Sequence, residues 1–140
     1  MVKRNTKKGT KTKKKLIIDE YDPIIYPRKL WVGKNASLKD LQKRFLTRDG
    51  EEIDESWDPT DGTFTIYVQD RVTGKCGCYV NIADWAYDEN LINVIAHEAE
   101  HVKISIFHDC HVESNFDAQE VNAYLVGWCT QCIYNTVIKK

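Results

Sequence analysis

Residues 94–102 read VIAHEAEHV, and this stretch decides the fold that we predict for the chain. Apolar side chains recur through it and beyond it at intervals of three and four residues, at Ile95, Ala99, Val102 and Ile106. That spacing predicts an amphipathic helix over residues 91–107, capped by Asp88 or Asn90. We expect the apolar stripe to pack against a sheet, with the two histidines of the stretch beside the stripe.

The sequence before this helix predicts an antiparallel hairpin. Residues 63–69 read TFTIYVQ and alternate polar with apolar side chains, which is typical of a strand. Thr73 and Gly74 supply a turn, and residues 75–82 return as a second strand. After the first long helix, Asp117 is placed to cap a second one over residues 118–137.

Two further elements precede the hairpin, and together they set the predicted fold class. Residues 28–32 form a short strand, and Ser37 is placed to cap a helix over residues 38–46. The resulting order predicts an α+β domain over residues 16–140, a small, mostly antiparallel sheet with helices packed on one face. The helix over residues 91–107 would be followed by the second long helix, near the chain's C-terminus.

The charges of this 140-residue chain are unevenly distributed. Residues 1–15 contain eight of its 20 Lys and Arg residues and no acid, so the 21 acidic residues of the remainder face only 12 basic ones. We predict that residues 1–15 form a disordered basic tail, which either solubilises the protein or contacts nucleic acid nonspecifically through phosphates. The basic residues of the tail are Lys3, Arg4, Lys7, Lys8, Lys11, Lys13, Lys14 and Lys15.

The apolar runs and the cysteines of the chain indicate where in the cell the protein is expected. No apolar run approaches the roughly 18 residues that a membrane span needs, and no secretory signal is recognisable. We therefore expect no membrane association and a cytoplasmic location. The five cysteines are an odd number, which in a reducing compartment predicts free thiols. Four of them could instead form a thiolate zinc site, but small buried side chains are the favoured interpretation; these four are Cys76, Cys78, Cys129 and Cys132.

His97 and His101 are the first candidate site. Four residues apart on a helix, their imidazoles face one point and can bind the same tetrahedral cation. Glu98 lies about 100° round the helix, where it can reach a water on that cation without binding the metal. The pattern H-E-x-x-H therefore predicts a zinc site with His97 and His101 as ligands.

A third ligand has to come from another part of the chain. Glu120 is favoured, because a carboxylate in the first turn of an antiparallel neighbouring helix can meet a His/His pair. His111 is the second choice, since it follows the helix end and could fold back. The remaining candidates are His108, Asp109, Cys110 and Asp117.

The motif and the segment QEVNAYLVGW, residues 119–128, resemble small metallopeptidase-like proteins of tailed bacteriophages. More broadly, they are similar to the gluzincins, whose third zinc ligand is a Glu on the next helix. The similarity covers about residues 63–135. It implies a minimal zincin-like fold, Zn²⁺ as cofactor, a protein or peptide substrate, and a location in the host cytoplasm or the virion. It also implies that His97, His101 and Glu120 bind zinc and that Glu98 is the catalytic carboxylate.

Such a site would hydrolyse peptide bonds. Zinc lowers the pKa of bound water towards about 7, and Glu98 would accept its proton as general base. Tyr124, Tyr87 or His111 would then stabilise the carbonyl oxygen, and a free strand edge of the hairpin would hold an extended peptide. The alternative is a catalytically silent zincin fold, a metal-stabilised interaction or virion-associated protein whose basic tail binds nucleic acid.

Overall fold

The computed structural model describes residues 14–84 and 87–140. It has an α+β fold with five strands and three α-helices in these residues, and two short 3₁₀ turns precede β4 and α3. This confirms the predicted fold class. In chain order the elements are β1 (Ile17–Tyr21), β2 (Lys29–Lys34), α1 (Leu38–Arg44), β3 (Phe45–Thr47), β4 (Phe64–Asp70), β5 (Cys76–Asn81), α2 (Leu91–Asp109) and α3 (Gln119–Val137).

The five strands form one sheet in the order β1-β2-β5-β4-β3. Every neighbouring pair is antiparallel except β2 and β5, which run parallel at the centre. The two strands approach each other closely where Lys29 pairs with Gly77, since a Cβ on Gly77 would lie 1.9 Å from the Lys29 carbonyl oxygen. The centre of the sheet therefore depends on a residue without a side chain.

Both faces of the sheet are covered. Helices α2 and α3 pack on the face that carries Leu30, Cys78 and Val80, whereas α1 packs on the opposite face, which carries Trp31 and Tyr79. The prediction that the helices share one face is therefore wrong for α1. The physical reason is that residues 30–33 of β2 and residues 76–80 of β5 are apolar or small in succession, and such strands need cover on both sides.

The hairpin and the two long helices are confirmed within two residues of their predicted ends. The first helix is shorter than predicted. Ser37 caps it through a reciprocal capping box with Asp40, but Phe45 is extended and pairs with Asp70 as part of β3. Pairing with β4 thus ends the helix before the apolar residues of its predicted last turn.

The first strand and the cap before α3 differ from the prediction. Strand β1 was not predicted, and it pairs antiparallel with β2. The side chain that caps the turn before α3 is that of Asn115, not that of Asp117. It accepts a hydrogen bond from the Ala118 N–H at 3.1 Å.

Residues 1–13 of the predicted tail lie outside the described residues. No helix in the described part of the chain combines the length and apolarity of a membrane span.

Candidate metal centre

His97 and His101 lie on successive turns of α2 and point towards each other. Their Nε2 atoms are 3.1 Å apart, and the ring planes are inclined by 74°. Both side chains are exposed, so a cation can reach them from solvent. The structure thus brings together the two nitrogens that the helical spacing predicts.

The distance between the two Nε2 atoms can be compared with that in a zinc site. Two nitrogens bound tetrahedrally at about 2.0–2.1 Å from zinc are about 3.3–3.4 Å apart. The value of 3.1 Å is therefore close to what two neighbouring ligand positions require. With a proton between them, the same two atoms form a hydrogen bond. The pair fits two positions of a tetrahedral ion.

The sequence suggested that the histidine pair lies beside the apolar stripe of α2, but the structure places it elsewhere. Ile95, Ala99 and Val102 are buried against the sheet, whereas both histidines are on the opposite, solvent-facing side of the helix. At 100° per residue, His97 and His101 are on average about 180° from the middle of the buried side. A metal at this pair would accordingly be bound at the protein surface.

Glu98 takes the other direction, towards the sheet. It is only 5% exposed, and its Oε2 accepts a hydrogen bond from Thr65 Oγ1 at 2.6 Å. Thr65 lies on the face of β4 that α2 covers, since it pairs with the buried Val80. The sequence contains no signal for this contact, because the two residues are 33 positions apart and meet only through packing.

A third ligand is not assembled with the pair. Among residues 14–84 and 87–140, no three His, Cys, Asp or Glu side chains are placed to hold one ion. Glu120 is exposed in the first turn of α3 and lines a surface depression with Phe116 and Asp117. The prediction that Glu120 binds the metal therefore has no support from the arrangement of these side chains.

His111, the second choice, has a structural role at the end of α2. Its backbone is in the left-handed region, with φ of 55°. Its N–H donates to the His108 carbonyl at 3.3 Å, and the Val112 N–H donates to the Phe107 carbonyl at 2.8 Å. These two bonds form a Schellman motif, so His111 ends the helix in a position that usually favours glycine.

Tyr124 was a candidate to stabilise the carbonyl oxygen. It is 76% exposed on α3 and lines an apolar groove with Tyr26 and Trp128. In the described part of the chain, no hydrogen bond or ring contact joins it to the histidines.

The free strand edge nearest to α2 belongs to β4. Strand β5 is central, and β3 pairs with only the last three residues of β4, Val68–Asp70. Within the described residues, the outer edge of β4 therefore has no strand partner from Phe64 to Tyr67. Thr65, which holds Glu98, lies within this unpaired stretch, so the candidate base and the open edge adjoin.

A second carboxylate of α2 is also held by β4. Asp109 accepts hydrogen bonds from Tyr67 Oη at 2.7 Å and Arg48 Nη1 at 3.0 Å, and it pairs with Arg28. The Arg48 guanidinium lies 3.9 Å from the centre of the Tyr67 ring. Asp109 was a candidate ligand in the sequence, but its oxygens are fully engaged, and it joins α2 to the sheet instead.

This cluster predicts a pH dependence of stability. Burial alone would raise the pKa of Asp109, but the hydrogen bonds from Tyr67, Arg28 and Arg48 and the charge of Arg28 lower it to about 2. A carboxyl with a lowered pKa stabilises the fold above its unfolded pKa of about 3.9, and this contribution is lost as the pH falls through the folded value. The Asp109 carboxylate should therefore contribute about 2 kcal/mol above pH 5 and almost nothing below pH 2.

Urea unfolding between pH 2 and pH 6 tests this prediction. The Asp109→Asn variant should lose less stability over this range than the parent, by about 2 kcal/mol, because it has no carboxyl to protonate. Tyr67→Phe removes one hydrogen-bond donor to Asp109, so its loss of stability over this pH range should lie between those of the parent and Asp109→Asn. Parallel pH profiles for the parent and Asp109→Asn would contradict the assignment.

The cysteines are free thiols, as predicted, and none is paired. Cys78 and Cys129 are fully buried between the sheet and α3. Burial raises the pKa of Cys78 to about 12 and raises that of Cys129 as well. Both side chains belong to the apolar core, and no three metal-ligating side chains group together in residues 14–84 and 87–140, which supports the favoured interpretation.

Comparisons with known proteins add no further constraint on this site. No protein-family model matches the chain, and no curated protein and no solved structure matches it either.

Proposed function

We propose that the protein is a zinc-dependent metallopeptidase whose metal is bound by His97 and His101. The observation that carries the proposal is the 3.1 Å separation of their Nε2 atoms on the exposed side of α2. Glu98 follows His97 directly and is held by Thr65 on a strand with an open edge. Ligand pair, carboxylate and strand edge are the parts that peptide hydrolysis by an H-E-x-x-H helix uses.

Each side chain has one task in this proposal. His97 and His101 would hold zinc through their Nε2 atoms, and the metal would supply an acidic water and polarise a scissile carbonyl. Glu98 would accept the proton of that water and return it to the leaving amine. Thr65 orients the carboxylate through Oε2, while Oε1 has no hydrogen-bond partner among the described residues. The proton would therefore be held at Oε1.

The substrate in this proposal is an extended peptide beside β4. The unpaired backbone of Phe64–Tyr67 offers N–H and C=O groups to a peptide strand, as in β-augmentation. Such a strand would lie next to Thr65, which contacts Glu98. The binding is to the peptide backbone, so it sets no preference for a side chain.

The third ligand in the proposal is Glu120, with His111 as the alternative. Neither is grouped with the histidine pair, so binding of metal has to bring one of them to it. A carboxylate would leave the zinc site with a net charge of +1, and a third imidazole would leave it with +2. The choice between them is made by the experiment below.

The first test is elemental analysis of the purified protein with melting curves in added zinc. We expect one zinc per chain and a melting temperature that rises with zinc, because a ligand of the folded state adds about 2.7 kcal/mol at 100 times its Kd. His97→Ala and His101→Ala should each abolish this response. Glu100→Ala, at an exposed residue of the same helix that is not a candidate ligand, is the control and should retain it.

The same assay distinguishes the candidate third ligands. If Glu120→Ala loses zinc and His111→Ala keeps it, Glu120 is the ligand; the reverse result assigns His111. Zinc binding without chelator-sensitive cleavage of denatured protein substrates would favour the alternative, a metal-stabilised protein without catalysis. A parent protein that neither contains zinc nor responds to it would refute the proposed function.

A further inference from the structure

Lysines from three separate parts of the chain meet at one cleft, which we call the lysine cleft. It measures about 430 Å³. Its lining consists of five lysines, one acid and two other polar residues. The lining residues are Lys14, Lys15, Lys34, Asn35, Asp84, Tyr87, Lys139 and Lys140. Because the segments are distant in sequence, only the fold brings these charges together.

Side-chain contacts hold the cleft in place. Lys34 Nζ donates to the Val137 carbonyl at 2.8 Å and also to the Lys139 carbonyl, which ties the end of β2 to the end of α3. Its ammonium lies 5.2 Å from the centre of the Tyr87 ring. Asn35 Nδ2 donates to the Lys15 carbonyl at 3.0 Å, which attaches the segment before β1.

Two of the five lysines remain available to a ligand. Lys14 pairs with Asp84 and Lys139 pairs with Asp19, while Lys34 is engaged with carbonyls. The ammonium groups of Lys15 and Lys140 form no hydrogen bond or ion pair within the described residues. Both residues are exposed, so their charges face solvent at the cleft.

The last two residues of the basic tail, Lys14 and Lys15, line the cleft. Residues 1–13 contribute six further Lys and Arg residues and no acid, and Lys14 already lines the cleft. The rest of the chain has the opposite sign, with more acidic than basic residues after residue 15. The charge of residues 1–13 therefore has the same sign as that of the cleft that follows them in the chain, and the opposite sign to that of the remaining residues.

We propose that the lysine cleft binds the phosphodiester backbone of nucleic acid. Lysine ammonium groups are point charges that neutralise phosphates without reading bases, so the binding would be independent of sequence. A membrane surface fits less well, because membrane-binding segments add apolar or aromatic side chains to their charges, and residues 3–15 have none. This activity goes beyond the proposed hydrolysis and uses a different surface.

Fluorescence anisotropy of the full chain with labelled 30-nucleotide single strands and 30-base-pair duplexes tests the proposal. The variant is Lys15→Glu/Lys140→Glu, which leaves the other cleft contacts intact. The control is Lys39→Glu/Lys43→Glu, an equal charge change on exposed residues of α1, outside the cleft. Melting temperatures of both variants establish that each is folded.

We expect the parent affinity to fall linearly with salt on logarithmic axes. The cleft variant should bind about tenfold more weakly or worse at 50 mM salt, and its slope should be smaller by about 2 for the duplex. The affinity of the control variant for nucleic acid should fall much less. Equal weakening in both variants would mean that only overall charge matters, and an unchanged cleft variant would assign the binding to the tail alone. Binding to anionic vesicles but not to nucleic acid would also overturn the proposal.

Discussion

Replacing Glu98 with Gln is expected to lower peptide hydrolysis by about 10²–10⁴-fold while zinc stays bound, because this is the usual contribution of general base catalysis. Gln keeps the size of the side chain and an oxygen that can accept from Thr65 Oγ1, so the packing between α2 and β4 is preserved. It cannot accept the proton of the attacking water. The loss should therefore appear in kcat rather than in zinc content.

The measurement combines kcat, KM and zinc stoichiometry for the parent and the variant. Glu100→Gln is a matched control, because Glu100 is an exposed residue of the same helix that pairs with Lys103 at 2.7 Å. It should retain both activity and metal. If Glu98→Gln cleaves as fast as the parent, Glu98 is a buried structural acid and the proposed base is wrong. If it loses zinc, its carboxylate supports the metal site instead.

Replacing Gly77 with Ala is expected to cause the largest loss of stability from a single methyl group. The added Cβ would lie 1.9 Å from the Lys29 carbonyl oxygen and 2.6 Å from the Lys29 nitrogen. Both are backbone atoms of β2, so no side-chain rotation relieves the contact. The central parallel pair would have to separate, and we expect the free energy of unfolding to fall by about 3 kcal/mol.

Gly127→Ala provides a control with the opposite expected sign. Gly127 is exposed in the middle of α3, and a Cβ there meets nothing within 4 Å. Alanine should stabilise the helix by about 0.5–1 kcal/mol relative to glycine. Urea unfolding of both variants checks the pair. A Gly77→Ala protein as stable as the parent would show that β2 and β5 can pair at a greater distance.

Local periodicity accounts for the parts of the fold that were predictable. The alternation in residues 63–69 and the turn at Gly74 predict the β4–β5 hairpin, because side chains alternate along any strand. The spacing of His97 and His101 likewise predicts converging imidazoles, since residues four apart are neighbours on any α-helix. These features depend on a few consecutive residues and can therefore be predicted without knowledge of the tertiary structure.

The environment of the histidine pair was not predictable in the same way. Which side of α2 is buried depends on where the sheet and α3 lie, and these contacts left the histidines on the solvent side. The same packing turned Glu98 towards Thr65. The position of Glu120 depends on the connection between α2 and α3, whose path no short-range pattern specifies.

The sequence by itself determined the strands, the helices and the histidine spacing that arise from contacts within a few residues. The tertiary structure decided which surfaces these elements share, because such contacts join residues far apart in the chain. Asp109 meets Arg28 and Arg48 only when the end of α2 lies against the sheet. Lys34 likewise reaches the end of α3 only through the packing of that helix on β2 and β1, which assembles a cationic surface from segments without a common sequence pattern.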